Sequence, residues 1–153
     1  MSDEFILMVA LPNLGRTGRF EIKSPRSRIY NCIAWAASDD ERWWWPDKSG
    51  SDYWPKGVPR EEKIQAFIAA YGTLGYEPCD NPDLEPGLEK VAIFTKPAGT
   101  PAHVAKQLGD GTWTSKLGPD WDIVHHDLDG VECPKYGKAT VFLKRPRPLP
   151  NPA

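Results

Sequence analysis

The sequence predicts an α+β domain, and three observations predict it. Helical patterning is confined to the first half, in an alanine-rich segment and one amphipathic stretch. From residue 91 onward the apolar pattern shortens to the two-residue period of strands. Sixteen prolines, about twice the ordinary usage, leave irregular connections between these elements. With 153 residues, 40% hydrophobic and 26% charged, the chain suits one compact domain over 1–144. A proline-rich tail over 145–153 is expected to be extended or disordered.

Residues 1–30 read as irregular, with short extended pieces at Phe5–Leu11 and Phe20–Lys23. Asn31 is a good helix N-cap, and the apolar run Cys32-Ile33-Ala34-Trp35-Ala36-Ala37 after it reads as a buried helix. Residues 38–58 form a loop rich in Trp, Tyr, Pro and Gly. The helix expected over 59–76 has Pro59 at its start, Glu61 and Glu62 in its first turn, and Ile64, Phe67, Ile68 and Tyr71 on one face. Residues 77–90 read as loop. Strands are expected at Val91–Lys96, Ala102–Leu108, Thr112–Lys116 and Thr140–Lys144, with Asp122–His125 as a further short one.

Charge and hydropathy exclude some function classes. A net charge of −2 argues against non-specific nucleic-acid binding, which rests on neutralising phosphates. No apolar run approaches the roughly 20 residues of a membrane span. Phe5–Leu11 is short, follows the acidic Asp3-Glu4 and lacks a small-residue cleavage site, so no signal peptide is read. The expected location is the cytoplasm, or outside by a route that needs no signal peptide.

Three cysteines, Cys32, Cys79 and Cys133, fit neither a disulfide framework nor a zinc pattern. Even with His125 and His126 near Cys133, no metal or organic cofactor is expected. Cys79 and Cys133 read as small, partly buried apolar residues. Cys32 stands apart because it opens a helix, where free backbone N–H groups favour a thiolate and can hold an oxyanion. His103, at the start of a strand, is a candidate base for it.

The hairpin allows a register calculation. A three-residue loop Gly109-Asp110-Gly111 pairs Leu108 with Thr112 and Ala105 with Ser115. His103, Ala105, Gln107, Trp113 and Ser115 then share one face. A two-residue loop would instead bring Thr114 and Lys116 there. Ser115 is therefore a candidate to orient His103, and Asp122 is a chemically better acceptor beyond the hairpin. Trp43, Trp44, Trp45 and Trp113 are candidate substrate-stacking residues, with core covering as the alternative role for the tryptophan loop. Lys116, His125 and His126 read as ordinary surface, and Tyr30 as packing.

These segments resemble the papain-like thiol hydrolases, in particular their NlpC-type and CHAP-type branch. Asn31-Cys32-Ile33-Ala34-Trp35 is similar to the nucleophile helix start. Glu85-Pro86-Gly87 running into Val91-Ala92-Ile93-Phe94, and His103-Val104-Ala105-Lys106-Gln107-Leu108-Gly109-Asp110-Gly111, are similar to that branch's two strands. Ser115 stands at the third catalytic position, where relatives carry His, Asn, Gln or an acid. Arg26 stands where papain carries an oxyanion-donating glutamine. The chain also resembles small bacterial proteins of unassigned function with an Asn-Cys…Trp-Ala and Trp-Thr-Ser-Lys-Leu-Gly signature.

The resemblance implies a papain-like fold, with the cysteine helix packed on a mostly antiparallel sheet. It implies a Cys32–His103 hydrolase of amide or peptide bonds, such as peptidoglycan stem peptides. The alternative is a non-catalytic binding or adaptor domain that meets a protein partner through the tryptophan loop or the tail.

Overall fold

The computed structural model describes residues 2–148. In chain order the elements are α1 (Asp3–Ala10), α2 (Pro12–Thr17), β1 (Phe20–Ser24), α3 (Cys32–Ala36), α4 (Ile64–Gly72), β2 (Glu77–Cys79), β3 (Leu88–Thr95), β4 (Pro101–Gln107), β5 (Trp113–Lys116), β6 (Asp122–His125), a 3₁₀ turn (Leu128–Val131) and β7 (Lys138–Pro146). The strands form one seven-stranded sheet in the order β1-β6-β5-β4-β3-β7-β2, and every neighbouring pair is antiparallel. The fold class is therefore α+β. No helix among the described residues is long and apolar enough to cross a membrane.

Two apolar clusters form the core. In the first, α3, α4 and the tryptophan loop pack with Val91, Ile93, Val104 and Leu143. In the second, Leu7, Leu11 and Leu14 pack with Ala92, Phe94, Ala105, Trp113 and Ile123. The period of two along each strand sends alternate side chains to the two clusters. That is why Val91-Ala92-Ile93-Phe94 of β3 is a continuous apolar run, while burial extends back to the charged Glu89 and Lys90.

Several elements differ from the sequence reading. Phe5–Leu11, expected to be extended, is mostly α1. Ser2 Oγ accepts from the Phe5 amide at 3.2 Å, and Asp3 and Glu4 complement the positive helix end. Helix α4 begins only at Ile64, because the residues before it are held by the tryptophan loop. Arg60 reaches Asp47 Oδ1 at 3.0 Å and the Asp52 carbonyl at 2.9 Å, and Trp54 Nε1 donates to the Pro59 carbonyl at 3.0 Å. Within 77–90, β2 is a three-residue edge strand on β7, a position that tolerates Pro78. Strand β7 runs on through Arg145 and Pro146, which the sequence placed in the tail. Residues 149–153 of that tail lie outside the described residues.

Arg145 belongs to the sheet because it answers a buried carboxylate. Glu89 is only 4% exposed. It accepts from Tyr76 Oη at 2.7 Å and Arg145 Nη2 at 2.9 Å, with Arg147 at 3.5 Å and Lys106 at 3.7 Å. Burial alone would raise its pKa, but the Tyr76 hydrogen bond and the surrounding cations outweigh it and hold the carboxyl below its ordinary value.

Candidate functional site

Helix α3 is short, and its start is set by one side chain. Asn31 Oδ1 accepts from the Ala34 amide at 3.1 Å and from the Trp44 amide at 3.2 Å, while Asn31 Nδ2 donates to the Trp44 carbonyl at 2.7 Å. One buried amide thus caps the cysteine helix and ties the tryptophan loop to it. Replacing Asn31 with alanine removes the cap and strands both Trp44 backbone groups. The expected cost is about 3 kcal/mol, read as a shift of the urea midpoint. An Asn31→Ala protein as stable as wild type would refute this role.

Cys32 opens the helix and is 7% exposed. Burial pushes its thiol pKa up to about 11. The amides of Val104, Ile33 and Cys32 itself, together with the Lys116 charge, pull in the opposite direction and lose. The Val104 contact has a topological cause. The register of β4 with β5 covers only Lys106↔Thr114 and Gln107↔Trp113. Nearer the start of β4 no such pairing occupies its backbone on that side, and α3 packs against β4 with Cys32 and Val104 in one cluster.

His103 is fully buried. Its ring stacks on Tyr136 at 4.5 Å and meets Phe94 edge-on at 5.1 Å, both members of the second cluster. Val104, the next residue, belongs with Cys32 in the first. Thiol and imidazole therefore reach β4 at adjacent residues and from the two cores, and no hydrogen bond joins them. Burial raises the Tyr136 hydroxyl pKa above its ordinary value, and the charge Cys32 would carry adds to it.

The hairpin has the three-residue loop, with the Leu108 amide donating to the Thr112 carbonyl at 2.7 Å and Gly111 at a φ of 90°. Ser115 accordingly faces His103, its Oγ 3.0 Å from Nε2. The same Oγ lies 2.8 Å from Nε2 of His125, whose Nδ1 is 2.9 Å from the Asp127 carbonyl. His103 Nδ1 has no hydrogen-bond partner. His125, read from the sequence as surface, is buried in this chain of contacts. The signal that could have found it was the alternation in β6: with Asp122 and Val124 on one face, Ile123 and His125 take the face of Ser115.

Other candidates fall elsewhere. Asp122 is turned away from His103: its Oδ2 accepts from Tyr30 Oη at 3.0 Å, and its register partner is Lys116, on the α3 side. It is not the orienting acceptor, because one residue of alternation separates it from the His125 face. Lys116 is buried rather than on the surface. Its Nζ donates to the Ser27 carbonyl at 2.7 Å and lies 4.7 Å from the Tyr30 ring centroid. Arg26 stacks over Trp121 at 4.2 Å.

Trp44 and Trp113 are core residues and present no ring to a ligand. Trp45 meets Phe67 edge-on at 5.9 Å, and Trp43 is half-buried. The loop roofs α4 because its rings are the large apolar surface available to cover Phe67. Among the described residues no three His, Cys, Asp or Glu side chains gather as metal ligands. A surface cavity of about 700 Å³ lies at the Thr95 end of β3, lined by Thr95, Lys96, Glu132, Cys133 and Lys138 among others, but by neither Cys32 nor His103.

The family model described as a domain of unknown function (DUF7689) matches residues 21–144, and the chain belongs to that family. No curated protein and no solved structure matches the chain.

Proposed function

We propose that this domain is a papain-like thiol hydrolase acting on an amide or peptide bond, with Cys32 as nucleophile and His103 as base. One observation carries the reading: His103 is held at Nε2 by Ser115 while its buried Nδ1 is left without a partner, and the next residue, Val104, packs in the core cluster of Cys32. A buried ring nitrogen is rarely left unpaired without a use.

Cys32 and His103 approach β4 from opposite faces, so the reaction first requires them to be brought together; the thiol proton then passes to His103 Nδ1, and the electron pair left on sulfur attacks the substrate carbonyl carbon. The oxyanion is met by backbone N–H groups at the start of α3. The imidazolium then returns its proton to the leaving amine, and water cleaves the thioester. At rest both partners are neutral, with the thiol pushed up to about 11 and burial holding His103 down to about 3. Proton transfer is therefore coupled to substrate arrival and the parting of the groups over Cys32. Peptidoglycan stem peptides are the substrate class that the resemblance carries.

The closed site favours a second reading, a non-catalytic scaffold whose partner is another protein. The two readings separate on acyl transfer from an activated ester such as p-nitrophenyl acetate, followed by mass spectrometry of the cysteine peptides. A hydrolase is expected to acylate Cys32 ahead of Cys79 and Cys133. His103→Gln, checked for folding by circular dichroism, is expected to slow that step by about 100-fold or more. Equal labelling of all three cysteines, or a rate indifferent to His103, would assign the scaffold instead.

A further inference from the structure

We infer that His125 is a positioning residue: acting through Ser115, it places the His103 proton on Nε2 and keeps Nδ1 bare. The contacts admit one order of donors and acceptors. The Asp127 carbonyl can only accept, so His125 Nδ1, 2.9 Å away, carries a proton and donates. A neutral imidazole has one N–H, so His125 Nε2 is an acceptor. Ser115 therefore gives its single hydroxyl proton to His125 at 2.8 Å. The Ser115 oxygen is left to accept, and His103 Nε2 donates to it at 3.0 Å. His103 Nδ1 then holds a lone pair, which is the form a base needs.

Both rings are neutral near pH 7, as this order requires. Burial and the neighbouring His125 hold His103 down to about 3, and burial outweighs the Asp127 carbonyl to hold His125 down to about 4. The carbonyl itself is fixed by the 3₁₀ turn, since it also accepts from the Gly130 amide at 3.0 Å. The turn packs tightly against this group: a Cβ on Gly130 would lie 2.9 Å from Leu14 Cδ2 and 4.0 Å from His125 Nδ1. The catalytic meaning of the bare nitrogen rests on the hydrolase reading, but the proton order does not.

The test is ¹⁵N–¹H spectroscopy of the histidine side chains in the full chain at pH 7, without substrate. Wild type is expected to show His103 protonated at Nε2 with an unprotonated Nδ1, and His125 protonated at Nδ1. His125→Leu frees the Ser115 hydroxyl to donate to His103, so the His103 Nδ1 resonance is expected to move toward the protonated position. His125→Gln keeps an acceptor for Ser115 and a donor for Asp127, so it is expected to restore the wild-type pattern. It also serves if the leucine variant does not fold, because Ser115→Ala then supplies the released state. A wild-type His103 protonated at Nδ1, or a His103 tautomer unchanged by both His125→Leu and Ser115→Ala, overturns the inference. An inert Cys32 with the expected tautomers would sink the hydrolase reading alone.

Discussion

Gly137→Ala is expected to leave little folded protein. Gly137 sits where β7 begins beside the end of β3, with a φ of 76°. A Cβ there would lie 2.0 Å from the Thr95 carbonyl oxygen and 2.4 Å from its carbon. Those are backbone atoms of a paired strand and cannot swing aside as a long side chain could. The Gly137 amide is also committed, donating to the Cys133 carbonyl at 2.7 Å. The loss should exceed about 4 kcal/mol, the range reserved for strain and severe overpacking. Gly57→Ala is the control, because φ there is 84° but nothing lies within 4 Å of a built Cβ. Left-handed backbone alone should cost it about 1 kcal/mol. Denaturant unfolding of the two variants side by side decides the matter, and equal losses would remove the steric argument.

Stability is expected to fall steeply between about pH 6.5 and pH 4, before most carboxylates titrate. His103 and His125 are buried as neutral rings, with burial holding them down to about 3 and about 4. Their folded values lie below the unfolded value, so the unfolded chain takes up protons first. The stability is fully present above the unfolded value and drains away as pH falls toward the folded ones. By pH 4 the loss is roughly 3 kcal/mol for each ring, a large share of the 5–15 kcal/mol typical of a domain. Urea unfolding at a series of pH values reads the slope, which should correspond to nearly two protons taken up on unfolding. The double variant His103→Gln, His125→Gln should flatten it. A stability unchanged from pH 7 to pH 5 would contradict the burial of these rings.

Much of the candidate site was legible in the sequence because it depends on short-range rules. Asn31 reads as a cap from its residue type and the alanine-rich run after it. Gly111 provides the positive φ that closes a three-residue hairpin, and the period of two then carries Ser115 to the face of His103. What escaped depends on contacts between distant segments. Phe5–Leu11 is apolar enough for either period, and the choice of helix lay with the Ser2 cap and with the burial of Leu7, Leu11 and Leu14. Three residues containing Pro78 carry no strand signal until β7 lies beside them. Glu89, Lys90 and Lys116 look like surface charges until their partners are placed. Lys90, for example, is buried with Glu85 at 2.7 Å and the Asn81 carbonyl at 3.1 Å.

The sequence by itself determined the α+β class and the helix that starts at Cys32, and it narrowed the hairpin to two registers, one of which faces Ser115 to His103. Each of these is decided within a few residues, by cap chemistry, by glycine's access to positive φ, or by alternation along a strand. Only the tertiary structure decided that Asp122 turns to Tyr30 while His125 joins Ser115, and that the tryptophans roof a helix. It alone left His103 Nδ1 unpaired. The physical reason is that burial and hydrogen-bond partnership are properties of pairs of segments. The place of a proton on His103 depends on a carbonyl at Asp127, which reaches it only after β5 and β6 have paired and the 3₁₀ turn has folded back on them.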